Sequence, residues 1–275
     1  MTNCNILGRN RLNYLEISAE KNILQQKLGQ QRGLWRSLII YYGNPFRGRR
    51  LVQFYRPFIR PGDLCFDIGA HVGNRMRAWT KLGAQVVALE PQPHLMRFLQ
   101  RWYGHRPGIT LLQEAAGSAP GQTTMYVSRL TPTVTSLSQT WINTVRKDRS
   151  FADVKWDDAV TVRLTTLDQL IERFGMPAFC KIDVEGFETE VLKGLSQPIA
   201  MLSFEYIPAT VGLSIDCVAR LSRIGNYQFN WLPGENHTFR SSSWLDATEM
   251  VEKLRSTLKE GRSGDVYARL KVAGT

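Results

Sequence analysis

Short apolar runs alternate with amphipathic stretches along most of this chain. The runs predict strands at about residues 64–66, 86–89, 109–112, 179–182, 200–204, 227–232 and 266–270. The stretches between them predict helices at about residues 75–82, 169–174, 189–193, 215–224 and 247–260. A chain that alternates strand and helix in this way is typical of an α/β fold. We expect a mostly parallel, twisted sheet of about seven strands.

The middle of the chain departs from this alternation. Between residues 111 and 137, short apolar runs alternate with turn formers, which predicts a small antiparallel excursion. Residues 161–164 alternate apolar and polar side chains, which predicts an edge or connecting strand. Residues 131–156 are rich in Thr, Ser, Arg and Asp, and they predict a substrate-facing loop or a disordered insertion. The run from Thr165 to Asp168 has the pattern of a capping box at the start of the next helix.

The first predicted strand leads into an acid and a turn with two glycines, Asp67-Ile68-Gly69-Ala70-His71-Val72-Gly73-Asn74. Glycine lets the backbone approach a ligand closely, and the N-terminus of the following helix attracts ligands. The turn lacks the G-x-G-x-x-G spacing that cradles a diphosphate. The next strand ends on Glu90, at the position where a carboxylate accepts hydrogen bonds from ribose hydroxyls.

These features together predict a pocket for a nucleoside cofactor without a diphosphate. Asp67 suits a cofactor with cationic groups, and S-adenosylmethionine carries a sulfonium and an amino-acid tail. The alternative is that Asp67 caps the turn and Glu90 is a solvated strand end, but the register of the two acids favours the cofactor. The residues that we predict to contact the cofactor here are Asp67, Ile68, Gly69, Ala70, Gly73, Asn74 and Glu90.

A second set of acids lies further along the chain, again at strand ends. Asp183 and Glu185 follow the predicted strand 179–182, and Glu205 follows the apolar run 200–204. In an open parallel sheet, ligands bind at the carboxyl ends of the strands. We therefore expect these acids to face the same crevice as the cofactor turn.

These motifs resemble those of the FkbM-type family of S-adenosylmethionine-dependent methyltransferases. The residues that carry the resemblance are Pro61-Gly62-Asp63, Asp67 to Gly73, Glu90-Pro91, Thr166-Leu167-Asp168 and, most specifically, Lys181-Ile182-Asp183-Val184-Glu185-Gly186-Phe187-Glu188. The resemblance covers about residues 50–272. It implies a Rossmann-like class I methyltransferase fold with a reversed final strand, and O-methylation of a hydroxyl on a carbohydrate, a glycan or a secondary metabolite.

The same resemblance implies further site residues. It places Glu114 and Ala115 after the third strand and beside the adenine, although Glu114 equally fits a solvated turn residue. Asp183 is also a predicted cofactor contact, because its strand end faces the same crevice as the cofactor turn. A small-molecule or glycan hydroxyl is the acceptor that it implies, and it does not say which one.

A hydroxyl acceptor needs a base or a metal that draws its proton away. The candidate bases are Asp183, Glu185, Glu205 and His71, the last because imidazole titrates in the useful range. Alternatively, Asp183 and Glu205 hold a divalent cation through oxygen ligands, although the sequence shows no clear third ligand. We therefore assign no metal ligands from the sequence.

The excess positive charge of the chain is concentrated at its beginning. The formal net charge is +11, and residues 1–62 contribute most of it because their only acids are Glu16 and Glu20. Basic residues interleaved with aromatic ones indicate an anionic partner, such as a nucleic acid, a membrane surface or a phosphorylated glycan. The alternative is a helical cap with one solvated face. We predict that residues 1–50 form this basic cap or a partly flexible segment, and that residues 51–275 form the methyltransferase domain.

Two other functions compete with glycan or metabolite O-methylation. An RNA ribose methyltransferase would dock through the basic segment, and a non-catalytic scaffold would bind the cofactor without turnover. No apolar run approaches the roughly 20 residues of a membrane-spanning helix, and the first residues lack the pattern of a signal peptide. The cysteines have no metal-type spacing. We therefore expect a soluble protein in the cytoplasm.

Overall fold

The computed structural model describes residues 28–234 and 237–271. Its strands form one large sheet and a smaller sheet beside it, and helices cover both faces of the large sheet. In chain order the elements are α1 (28–42), α2 (Pro45–Tyr55), β1 (Leu64–Ile68), α3 (Asn74–Lys81), β2 (Gln85–Leu89), α4 (Pro93–Tyr103), β3 (Ile109–Leu112), β4 (Ala115–Ala116), β5 (Gly121–Val127), α5 (Gln139–Val145), β6 (Asp158–Thr165), α6 (Leu167–Phe174), β7 (Phe179–Ile182), α7 (Glu188–Lys193), β8 (Met201–Tyr206), α8 (Val211–Ile224), β9 (Tyr227–Pro233), α9 (Ala247–Glu260) and β10 (Gly264–Leu270).

The large sheet has the strand order expected of a class I methyltransferase. Its seven strands lie in the order β3-β2-β1-β7-β8-β10-β9. The first five run parallel to one another, and β10 runs antiparallel to both β8 and β9. The prediction of a mostly parallel, Rossmann-like sheet with a reversed final strand is therefore confirmed.

Both faces of the sheet are covered, which explains why its central strands read as continuous apolar runs. In β1, Cys65 packs into a core with α2, α3 and α4, whereas its neighbour Phe66 packs into the core on the other face. That second core includes side chains of α6, α7, α8 and α9. Because β1, β2, β7 and β8 run parallel to one another, their carboxyl ends meet at one edge of the sheet.

The middle of the chain forms a second sheet, in the order β4-β6-β5. The predicted antiparallel excursion is confirmed, because β5 and β6 pair in antiparallel register. The strand predicted at 161–164 is longer than expected, and it is the central strand rather than an edge, because it pairs with a partner on each side. This second sheet places Ala115 beside the cofactor edge of the large sheet.

The segment 131–156 is more ordered than the loop or disordered insertion that its polar composition predicted. It contains α5, which begins after Ser138, whose hydroxyl accepts a hydrogen bond from the backbone N–H of Trp141 at 3.1 Å. Trp141, Ile142 and Val145 are buried there, so this segment has a core of its own.

The predicted capping box is displaced by one residue. The N-cap of α6 is Thr166, whose hydroxyl accepts from the backbone N–H of Gln169 at 3.1 Å. Asp168 instead accepts from the backbone N–H of Ser196 at 2.9 Å, which joins the start of α6 to the loop after α7. Thr165 is the last residue of β6 and hydrogen-bonds the Gln169 side chain.

The basic leading segment is only partly within the described residues, since residues 1–27 lie outside them. The boundary predicted at residue 50 falls inside α2, whose Leu51 and Tyr55 are buried in the core beside α3. The hydroxyl of Tyr42 in α1 donates to the carbonyl oxygen of Val72 at 2.8 Å, so α1 contacts the cofactor turn. Among the described residues, no helix is both long and apolar enough to cross a membrane.

Candidate active site

A cleft opens where β1, β2 and β7 end, and it collects most of the residues that the sequence singled out. Of the predicted cofactor contacts, those that line it are Ile68, Gly69, Asn74, Glu90, Ala115 and Asp183. Of the predicted bases, His71, Asp183 and Glu185 line it. Glu205 lines a neighbouring cavity. Glu185 lines both that cavity and the cleft, so it lies between the two spaces.

The two glycines of the turn are required by close packing within the protein itself. Gly69 has φ of 90°, and a Cβ atom there would collide with the carbonyl oxygen of Asp183. Gly73 has φ of 77°, and its Cβ would meet the side chains of Met76 and Leu99. Both are positive-φ positions that favour glycine. The turn therefore lies tightly against the end of β7, and this contact brings the two acidic sets together.

Glu90 fixes the cofactor turn from the end of β2. Its Oε2 accepts from the backbone N–H of His71 and its Oε1 from the backbone N–H of Gln92, both at 2.8 Å. Burial raises the pKa of Glu90 to about 8, although these two amides favour the ionised form. Each carboxylate oxygen accepts more than one hydrogen bond, so the group retains acceptor sites for ribose hydroxyls in the cleft.

Asp67 is buried beneath the turn. Burial raises its pKa to about 6, with the charge of Arg75 opposing that rise. Its Oδ2 has no hydrogen-bond partner among the described residues. Buried acceptors are normally satisfied, but Asp67 does not itself line the cleft.

His71 lies at the contact between the cofactor turn and α1. Its ring lies against the ring of Tyr41, and its Nε2 forms a hydrogen bond of 3.2 Å with the hydroxyl of Ser37. Burial lowers its pKa to about 4. The imidazole is therefore neutral at pH 7 but only weakly basic, and one of its nitrogens is already occupied by α1.

The remaining candidate bases form one acidic cluster, which consists of Asp183, Glu185 and Glu205. Each offers a carboxylate oxygen, and these oxygens lie within 4.8 Å of one another. Burial and then the charges of neighbouring acids raise the pKa values of Glu185 and Glu205 well above the usual value. The Oε2 of Glu205 is buried without a hydrogen-bond partner among the described residues. The cluster therefore contains carboxylates of unusually high proton affinity at the mouth of the cleft.

Asp183 differs from the other two because it has cationic partners. Its Oδ2 lies 3.4 Å from Lys181 Nζ and 3.5 Å from Arg75 Nη1. The same two cations contact Asp265 of β10 at 2.7 Å and 3.5 Å. Burial alone would raise the pKa of Asp183, but Lys181 and Arg75 outweigh it and hold the pKa below its usual value.

This charge network was missed by the sequence analysis. Lys181 is completely buried in β7, within the apolar run Phe179-Cys180-Lys181-Ile182. A buried lysine requires a paired acid, so its presence in that run was the available signal. Asp265 and Arg75 lie far from it in the sequence, and only the sheet brings them together.

The comparison with protein-family models decides which family has this site. The model of the methyltransferase FkbM domain matches residues 67–210, more than half of the chain. The chain belongs to the FkbM methyltransferase family. The match includes the cofactor turn, Glu90 and all three acids of the acidic cluster, so this protein carries an S-adenosylmethionine-dependent methyltransferase domain.

The following three proteins are similar to this chain, with sequence identities of 24% or less. Hexuronic acid methyltransferase AglP of Haloferax volcanii is 24% identical over 162 residues, which cover 58% of this chain and 61% of AglP. The chain thus spans less than two thirds of that relative. Among solved structures, a TehB-like SAM-dependent methyltransferase of Corynebacterium glutamicum is 12% identical, with a TM-score of 0.45 and coverage of 90% of this chain and 99% of the other. Precorrin-6y C5,15-methyltransferase of Geobacter metallireducens is also 12% identical, with a TM-score of 0.41 and coverage of 81% and 87%.

Four predicted cofactor contacts do not line the cleft of the FkbM domain. Ala70 and Gly73 are buried in the turn and support it from below, as Asp67 does. Glu114 was predicted beside the adenine, but its carboxylate pairs with Arg163 at 3.0 Å and does not line the cleft. The neighbouring residue Ala115 does line it. Glu114 was predicted as a cofactor contact from its position in the chain alone. Its side chain instead pairs with Arg163 on β6.

The loop between β7 and α7 is held in shape by Glu188, the last acid of the family motif. Its Oε1 accepts from the backbone N–H groups of Val184 at 3.0 Å and Gly186 at 3.3 Å. Glu185 has φ of 52°, a conformation that residues other than glycine seldom adopt. The hydroxyl of Ser136 donates to its carbonyl oxygen at 2.6 Å. The position of Glu185 therefore depends on the segment that contains α5.

We expect Gly186→Ala to destabilise the domain and to impair methyl transfer. Gly186 has φ of 85°, and a Cβ there would collide with the ring of Trp141. Overpacking of this kind costs about 1–3 kcal/mol, and the displaced loop would carry Glu185 with it. Gly212→Ala in α8 is the matched control, because nothing lies within 4 Å of its Cβ position. Urea unfolding of both variants checks this prediction, and equal stabilities would contradict it.

Proposed function

We propose that this protein transfers a methyl group from S-adenosylmethionine to a hydroxyl of a carbohydrate or glycan. The observation that carries the proposal is the acidic cluster on neighbouring strand ends, in which Asp183 and Glu185 line the cofactor cleft and Glu205 lies within 4.8 Å of them. AglP is a hexuronic acid methyltransferase by name, which favours a sugar acceptor over a secondary metabolite. A sugar hydroxyl requires removal of its proton as it attacks, and the cluster supplies carboxylates for that step.

The proposed reaction divides the work among a few residues. When bound, the cofactor supplies an electrophilic methyl group on a sulfonium. Glu205, with Glu185 beside it, accepts the proton of the acceptor hydroxyl as the new C–O bond forms and the C–S bond breaks. Lys181 and Arg75 keep Asp183 ionised, so that its carboxylate attracts the positive charge of the cofactor. Much of the rate comes from holding the two reactants in line.

The same acidic cluster also has a donor set that suits a divalent cation. Its three carboxylate oxygens lie within 4.8 Å of one another, and oxygen ligands are those that Mg²⁺ and Ca²⁺ prefer. Such a cation would acidify the hydroxyl in place of a side-chain base. We propose the side-chain base, and removal of metal separates the alternatives. Methyl transfer that persists in EDTA supports the base, whereas activity that is lost and then restored by Mg²⁺ assigns the activation to a cation.

Calorimetric titration with S-adenosylhomocysteine tests the cofactor assignment directly. We expect it to bind, and we expect NADH, the control nucleotide, not to bind, because the turn lacks a diphosphate cradle. A screen of methyl acceptors that begins with uronic acids and neutral sugars then tests the reaction. Binding of NADH alone would overturn the methyltransferase function. Cofactor binding without transfer to any acceptor would indicate a scaffold.

A further inference from the structure

A second cavity lies beside the cofactor cleft, between α2 and α3, and we call it the basic cavity. Its volume is about 310 Å³, at the lower end of the range for small-molecule pockets. Its cationic lining residues are Arg47, Arg49, Arg75, Arg77 and Lys81. No carboxylate is among the described residues that line it.

Three cations of the basic cavity have no acidic partner within the residues that the structure describes. Arg49, Arg77 and Lys81 are exposed, and none has an ion-pair partner in the described part of the chain. They come from two helices that pack against each other, so their charges converge although they are distant in sequence. Converging cations without acids produce a positive potential that attracts anions.

Two of the arginines are already oriented by the protein. The guanidinium of Arg77 lies over the ring of Tyr42, 5.3 Å from its centre. Arg47 donates from Nη1 to the carbonyl oxygen of Ile40 at 2.6 Å. A side chain held in this way loses less conformational entropy when it binds a ligand. Planar guanidinium groups also match the geometry of phosphate and carboxylate oxygens.

The basic cavity and the cofactor cleft adjoin each other. Tyr41, Asn74 and Arg75 line both. Arg75 marks the change in charge between them, since it pairs with Asp183 on the side of the acidic cluster. A ligand in the basic cavity therefore lies directly beside the cofactor cleft, at the boundary that Arg75 forms.

We propose that the basic cavity binds an oxyanion of the methyl acceptor, a phosphate or a uronic acid carboxylate. This inference rests on the proposed function and narrows its substrate class to anionic sugars. The negative group binds among Arg49, Arg77 and Lys81. Neutral sugars lack that contact and bind weakly.

Binding of simple sugars in the presence of saturating S-adenosylhomocysteine tests the proposal. The probes are glucose phosphate, glucuronate and neutral methyl glucoside, titrated into the wild type and into the double variant Arg49→Gln/Lys81→Gln. We expect a charged sugar to bind the wild type at least about tenfold more tightly than methyl glucoside, and the double variant to lose that preference. The control is Arg101→Gln/Arg255→Gln, which removes the same charge from exposed positions outside the cavity.

Preference for glucose phosphate, for glucuronate or for both supports the proposal and identifies the anionic group. Equal binding of charged and neutral sugars, or equal losses in the two double variants, overturns it. Tight binding of a short single-stranded RNA that is lost in Arg49→Gln/Lys81→Gln also overturns it, in favour of RNA docking. Binding of S-adenosylhomocysteine is measured on its own in the same proteins. Its absence would count against the methyltransferase function, whereas cofactor binding without a preference for charged sugars would count against the basic cavity alone.

Discussion

We expect Glu205→Gln to lower kcat for methyl transfer by about 10²–10⁴-fold, the usual contribution of a general base. The substitution keeps the size of the side chain and removes its ability to take a proton. Affinity for S-adenosylhomocysteine should change by less than about threefold, because Glu205 lies outside the cofactor cleft. Single-turnover kinetics with saturating cofactor and acceptor measures the effect.

The matched control is Glu190→Gln, the same chemical change on α7 beside Lys193. It should leave kcat unchanged. If Glu205→Gln retained kcat within about threefold of the wild type, the assignment of Glu205 as the base would be wrong.

The pH profile offers an independent readout of the same residue. Burial and the charges of Asp183 and Glu188 raise the pKa of Glu205, and a base must be deprotonated to act. The rate for the wild type should therefore fall as the pH drops through this raised pKa, above the value of about 4.3 that is typical of glutamate. Glu205→Gln should lack this acidic limb. A wild-type rate that is independent of pH across this range would contradict the prediction.

We expect Lys181→Met to lower the free energy of unfolding by about 3 kcal/mol or more, as for other buried pairs that lose one partner. Lys181 is completely buried, and it is the shared partner of Asp183 and Asp265. Methionine fills a similar volume, so the loss reflects the uncompensated carboxylates rather than a cavity. Urea unfolding at pH 7 measures it.

Lys193→Met on α7 serves as the control for the lysine. Lys193 is about half exposed, and its pair with Glu190 contributes less than about 1 kcal/mol. A loss at Lys181 no larger than at Lys193 would mean that Arg75 alone compensates both aspartates.

The elements of the large sheet were predictable because each follows from a local pattern. Buried parallel strands read as apolar runs, and glycines and acids mark where they end. The helix α5 was not predicted, for the opposite reason. The polar composition of its segment is that of a loop, and the helix forms because Trp141 packs on Gly186 from another part of the chain. Likewise, the cap of α6 was displaced because Asp168 found a distant partner in Ser196.

By itself, the sequence determined the α/β fold, the family and the acids at the strand ends, since these depend on short motifs and on the rule that parallel strands end together. Only the tertiary structure decided how those acids differ. Lys181 and Arg75 pair with Asp183 and keep it ionised, whereas Glu185 and Glu205 lie close to each other and have no ion-pair partner within the described residues. It also decided that the cations of α2 and α3 form one cavity beside the cleft. Charge interactions depend on distance and burial, and residues far apart in the chain acquire both only when it folds.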